Sequence, residues 1–367
     1  MTRAQLAQTV RVVTVSVVAL LLGAILAAPG QFESRGAAQA AGKLVVFSGR
    51  REPLIVPILN TFTQKTGIQI TLKTGSGTAL AQEILQSLPN PNADVFIHTE
   101  PGTFEFLRLK GALQPYLSDQ IKKIPERFRA RDGSWLGVSG RSRAIIYNTK
   151  LVKPEELPTT VFDLINPKWK GKLAAVNAGN ESLVAWVSAL RLTLGDELVK
   201  AFLLKLKENK IALLSSSHTD IRKAVGRGEF AMGLINHYYF HLQKQEPDPA
   251  VRDVGILYHD QGAFQLGTLV LTASAAIVKN TKSLKEAQQL LDFLASDAQK
   301  LFAEVNFEYP LLAGVPTEPS VLEAVQQNTN CNKPSPIDCL KQLPIPLDAL
   351  GEQLEKTQKL LEEVGWF

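Results

Sequence analysis

Tyr238 and Tyr239 stand side by side in Asn236-His237-Tyr238-Tyr239, in a chain of 367 residues that holds only six tyrosines. Phenolates are hard, anionic oxygen donors, and a hard trivalent cation such as ferric iron suits them, by the same softness rule that sends thiolates to soft metals. A free phenol keeps its proton up to a pH of about 10, so coordination needs a cation to displace it. Metal charge supplies most of that driving force, and unpaired amides at a strand-to-helix junction add to it. Taken alone, the pair is better read as flanking a loop, with one ring packed and the other in solvent, and the rest of the chain must decide between the two.

The elements around the pair decide what it can do. The apolar run from Phe230 to Ile235 predicts a strand that delivers it, followed by a helix-like stretch through His241 and Gln245. Earlier, Lys43 to Ser48 predicts a first strand, Pro53 to Gly67 a helix with apolar residues at Leu54, Ile55, Ile58, Leu59 and Phe62, and Ile68 to Leu72 a second strand. A helix over Thr78 to Leu88 and a strand over Ala93 to Ile97 complete a strand-helix alternation, which indicates an α/β domain with a largely parallel sheet. Gly75-Ser76-Gly77-Thr78 lacks the Gly-Lys-Ser/Thr of a phosphate loop and reads as a turn and helix cap.

Ser134 to Val138 predicts another strand, and Ala144 to Tyr147 a short segment crossing into a second α/β unit. That unit carries predicted helices over Leu183 to Leu194, Asp196 to Leu206 and Thr219 to Val225, with a strand at Ile211 to Leu214. Gly267 to Val278 is a long β-branched stretch and reads as the chain crossing back, before helices at Leu284 to Ala295, Ala298 to Phe302 and Leu347 to Val364. The resulting division is residues 1–40 as a leader, 41–143 with 275–367 as a first lobe that includes the C-terminal helix, and 144–274 as a second lobe.

Composition narrows the function. With 45% hydrophobic and 20% charged residues the chain reads as globular, and a net charge of +5 without a long basic run argues against nucleic acid. Arg3 and Arg11, the apolar stretch from Val12 to Ala28, and Ala38-Gln39-Ala40 before Ala41 form a secretory signal peptide; a retained anchor is the alternative reading. Export favours a bridge between Cys331 and Cys339, the only cysteines, and two of them do not complete a tetrahedral metal set. No serine, histidine and acid set stands in a recognisable context, so an exported enzyme lacks support.

Six stretches carry a resemblance over nearly the whole chain after the leader: Val46-Phe47-Ser48-Gly49-Arg50, Ala93-Asp94-Val95-Phe96, Ser139-Gly140-Arg141-Ser142-Arg143 with Tyr147-Asn148, Pro167-Lys168-Trp169-Lys170-Gly171-Lys172, the tyrosine pair, and Glu308-Tyr309-Pro310-Leu311. In order and spacing the chain resembles the periplasmic ferric-iron-binding proteins of iron ABC importers. The resemblance implies a two-lobed periplasmic binding protein fold of type II, each lobe a mainly parallel sheet flanked by helices and joined by crossing segments. It implies Fe(III) in the cleft, held by Tyr238 and Tyr239, with Tyr147 matching the third tyrosine of one branch.

Where family members place histidine at the end of the first strand, this sequence has Arg51 and Glu52. Either Glu52 supplies a carboxylate, or arginines hold a carbonate-like anion, with Arg50 and Arg141 the candidates. Glu100 is a weaker candidate, His237 orients its neighbours, and the other four histidines are structural by default. The function expected is a monomeric extracytoplasmic carrier that delivers iron to a membrane permease. The alternatives are a phosphonate, a polyamine or a divalent metal on the same fold, or an iron store with no transporter.

Overall fold

Strand β1 (Lys43–Ser48) opens the first half, and helix α1 (Glu52–Thr66) follows it. Pro53 near the start of α1 needs no amide partner there, and Gly67 ends the helix in a left-handed conformation with its N–H on the Thr63 carbonyl. Ile55, Ile58, Leu59 and Phe62 form the buried stripe that the spacing predicts. The computed structural model describes residues 42–367, so the expected signal segment lies outside the described residues. Among these no helix is long and apolar enough to cross a membrane.

The first half continues with β2 (Gln69–Thr74), α2 (Gly77–Ser87), β3 (Val95–His98), α3 (Pro101–Leu109) and β4 (Leu113–Gln114). β1 pairs in parallel with β2 and β3, as expected from the alternation. Ser76 caps α2 with its side chain, which is the role read from the glycine-rich turn.

Strand β5 (Leu136–Asn148) is one continuous strand of 13 residues where the sequence predicts two pieces. The polar run Ser139 to Arg143 hid it, because a strand is recognised by its apolar alternation. Arg141 and Arg143 are nevertheless buried, since they sit where the strand passes between the two halves of the molecule.

The second half comprises β6 (Leu173–Ala175), α4 (Glu181–Leu194), α5 (Asp196–Glu208), β7 (Ala212–Leu213), α6 (His218–Gly226), β8 (Met232–Asn236), α7 (Tyr238–Lys244) and β9 (Val254–Leu257). The last strand, β10 (Val270–Val278), returns to the first half, where it pairs with β3 and β4, and it runs antiparallel to β5 from Leu136 to Ser142. From Arg143 onward β5 pairs instead with β8, and from Ile145 with β9. The strand order is β2-β1-β3-β10-β5-β8-β6-β7, so β5 and β10 are the central strands through which the chain passes between halves.

Helices α8 (Leu284–Leu294) and α9 (Ala298–Asn306) follow, then α10 (Pro319–Thr329), α11 (Pro336–Cys339) and α12 (Leu354–Glu363). Cys331 and Cys339 are joined in a disulfide. The expected single helix over Leu347 to Val364 is a 3-10 turn, Asp348–Gln353, followed by α12. The turn packs on α3, but α12 packs on α4: Thr357 Oγ1 bonds Ser188 and Arg191, and Trp366 Nε1 donates to the Val176 carbonyl at 3.1 Å. An amphipathic pattern shows that α12 must bury one face, not which surface receives it.

Candidate metal centre

The loops at the carboxyl ends of β1, β3 and β8 open on one cleft between the halves, with a cavity of about 350 Å³. Ligand sites of open α/β sheets lie at these strand ends, where the chain turns and side chains converge. Gly49 to Arg51, Gly77, and His98 to Glu100 line it from the first half; the start of α4, His218 and Tyr238-Tyr239 line it from the second.

The tyrosine rings lie 4.4 Å apart and tilted by 30°, and they are only 5% and 7% exposed, so both stand together in the cleft wall. Burial, and then the neighbouring Tyr239, push the Tyr238 phenol well above its ordinary range. His237 does not face the cleft. Its Nδ1 accepts the Ser142 N–H at 3.2 Å, its Nε2 donates to the Phe307 carbonyl at 2.7 Å, and its ring stacks 4.0 Å from Tyr309. Burial, helped by His241, pulls its pKa well down, so it is a neutral prop that orients the chain leading into the pair.

Arg50 and Arg141 both line the cleft. Arg50 Nη2 donates to both oxygens of Glu308, at 2.9 and 3.1 Å, and Arg141 Nη2 donates to Glu100 at 2.5 Å and to the Thr99 carbonyl. Each guanidinium keeps a buried Nε and Nη1 with no protein partner among the described residues. Such N–H groups suit a planar oxyanion, which accepts paired hydrogen bonds. Arg143 lies deeper, donating to Asn236 and His218 at 3.1 Å, and burial pulls its pKa down to about 10.

Two expected ligands are not at the cleft. Tyr147 lies four residues beyond Arg143 on β5, about 13 Å along the strand, and its ring covers Gly255, where an added Cβ would meet Tyr147 Cζ at 2.2 Å. Glu52 begins α1, is exposed, and accepts a hydrogen bond from Thr74 Oγ1 at 3.1 Å. The chain turns at Arg51, so it is Arg51 that faces the cleft, donating to Thr219 Oγ1 at 3.0 Å. Tyr147→Phe is therefore expected to change metal affinity by less than about twofold, as for a substitution away from a site, measured by competition with a chelator.

Glu181, which no sequence motif marks, and His98 and His218, expected to be structural, all line the cleft. His98 occupies a slot between two glycines: a Cβ on Gly49 or Gly77 would stand 2.0 or 2.2 Å from its ring. Gly77→Ala is expected to destabilise the protein by about 1–3 kcal/mol in urea unfolding, because the ring must move or strain. Nothing in the local sequence marks these residues, since their role comes from the halves meeting.

Residues 90–335 match the family model described as bacterial extracellular solute-binding protein. The chain belongs to that family. This solute-binding protein is 31% identical over 311 residues to iron uptake protein A1 of Synechocystis, covering 83% of this chain and 82% of that one. It is 26% identical to the Fe(3+)-binding periplasmic protein of Serratia marcescens, covering 97% and 98%. The solved structure of Trichodesmium FutA, in complex with iron and citrate, superposes with a TM-score of 0.75 at 32% identity, covering 89% of this chain and all of that one. The solute-binding protein has the two-lobed type II periplasmic binding fold, with a mixed sheet and flanking helices.

Proposed function

We propose that this solute-binding protein captures ferric iron on Tyr238 and Tyr239 in the periplasm and delivers it to the permease of an ABC importer. The observation that carries the reading is the pair of adjacent buried phenols on a cleft that also presents free guanidinium N–H groups. Two phenolates leave a trivalent ion with one net positive charge, and an oxyanion such as carbonate or citrate on Arg50 and Arg141 completes the shell. Iron and citrate in the Trichodesmium relative support both parts. The relatives named for iron favour it over the phosphonate, polyamine and divalent-metal alternatives.

The lobes proposed to close on the metal are the β1-to-β4 half with α8 and α9, and the β6-to-β9 half with α12. The hinge runs through β5 and β10. Closure joins the two permease-facing surfaces into one geometry, so loading and docking share one equilibrium. The leader read over residues 1–40, with its apolar stretch from Val12 to Ala28, supports export, and membership of a solute-binding family supports a carrier role.

Because burial holds Tyr238 protonated, iron must displace its proton. Ferric affinity is expected to rise with pH, by about tenfold per unit for each phenol deprotonated. Competition with a chelator of known proton stoichiometry between pH 6 and 8 checks this, and a flat profile contradicts phenolate coordination. Calorimetry with ferric citrate, a phosphonate and a polyamine separates the candidate ligands: only the first is expected to give heat that saturates at one ion per chain.

A further inference from the structure

Glu181 is the first residue of α4, yet every polar partner of its carboxylate among the described residues lies on the opposite wall of the cleft. Oε1 accepts from the Thr78 N–H at 3.1 Å and from Thr78 Oγ1 at 2.7 Å, while Oε2 lies 2.5 Å from His98 Nε2. Thr78 sits in the first turn of α2 and His98 ends β3, so one side chain ties the second half to two elements of the first. The start of α4 does not need this carboxylate as a cap. Asn180 Oδ1 already accepts the Leu183 N–H at 2.9 Å.

Both ends of the bridge are held in place. The His98 side chain is 2% exposed and fixed between Gly49 and Gly77, and Glu181 leaves a capped helix of 14 residues. A charge-assisted contact between preset groups loses little conformational freedom on forming, so it favours one relative placement of the halves. Arg51, donating to Thr219 Oγ1, is a second contact of the same kind.

We propose that Glu181 and His98 form a latch across the cleft, a pair of positioning residues that hold the two halves in the closed arrangement by protein groups alone. The latch stands whichever solute the cleft carries. It makes Glu181 a determinant of how long a loaded cleft stays shut, because release requires the carboxylate to leave both His98 and Thr78.

The test uses nitroxide labels at Asn60→Cys on α1 and Glu197→Cys on α5, both exposed, with pulsed dipolar distances recorded on metal-free protein. The latch predicts one narrow distance in the otherwise unaltered chain. Glu181→Gln keeps an acceptor for the Thr78 donors but removes the charged oxygen beside His98, and Thr78→Val removes the hydroxyl donor at nearly constant side-chain shape. In each, the closed population is expected to fall roughly tenfold relative to the open one, with an unchanged unfolding midpoint. A chain already spread over open distances, or variants as narrowly closed as their parent, would overturn the latch, and neither outcome bears on the ferric reading.

Discussion

Ferric iron is expected to bind the Tyr238→Phe/Tyr239→Phe protein at least about 10³-fold more weakly than the unaltered one. Removing an outer partner of a metal ligand already costs 10–100-fold, and this change removes two direct donors. The substitution deletes only two hydroxyl oxygens and leaves the adjacent, buried rings in place, so folding should be preserved. Burial even favours the change in the metal-free protein, because phenylalanine needs no partner where tyrosine does. The expected signature is thus a collapse of affinity, read by chelator competition, with an unfolding midpoint equal to or above that of the parent. Retained affinity would place the metal elsewhere in the cleft.

The second large effect concerns stability. Glu308 is the counter-ion of Arg50, both side chains are 1% exposed, and Ser139 Oγ adds a 2.7 Å hydrogen bond to the same carboxylate. Glu308→Ala leaves the guanidinium buried without its partner, which costs about 3–5 kcal/mol where an apolar replacement of both residues costs little. Urea unfolding should show that loss for Glu308→Ala and for Arg50→Ala, and a much smaller one for the Arg50→Met/Glu308→Leu double variant. Equal losses in all three would mean that the contact carries stability as a pair. Because Arg50 also carries two of the N–H groups offered to an anion, the double variant is expected to lose anion-dependent iron binding while remaining folded.

Much of this is legible in the amino-acid sequence. Period-2 and period-3.6 patterns located β1, α1, α2, β8 and α8, because those elements bury apolar residues on a regular face. The tyrosine pair was legible for another reason: it is a rare residue type, doubled, at the end of a buried strand. The middle of β5 was not, because its buried residues are arginines and serines whose partners come from Glu100, Glu308, Tyr309 and His237. A single strand cannot announce that it will be neutralised from elsewhere.

Tyr147 and Glu52 show the converse. Motif order places each near the right strand end, but a strand advances about 3.3 Å per residue, so four residues carry a side chain out of reach of the cleft. For Glu52 one residue sufficed. The helix starts there and turns its carboxylate outward toward Thr74, while Arg51 takes the inward position. Glu181 and His98 were invisible because each faces a partner from the other half of the molecule, and no local pattern encodes that meeting.

The most direct test of the central claim is a visible-absorbance titration of the mature protein with ferric citrate at neutral pH. The account predicts a phenolate-to-iron charge-transfer band that grows to saturation at one iron per chain, persists in Tyr147→Phe, and vanishes in the Tyr238→Phe/Tyr239→Phe protein. Saturable binding with no such band, or a band that survives the double substitution, would contradict it.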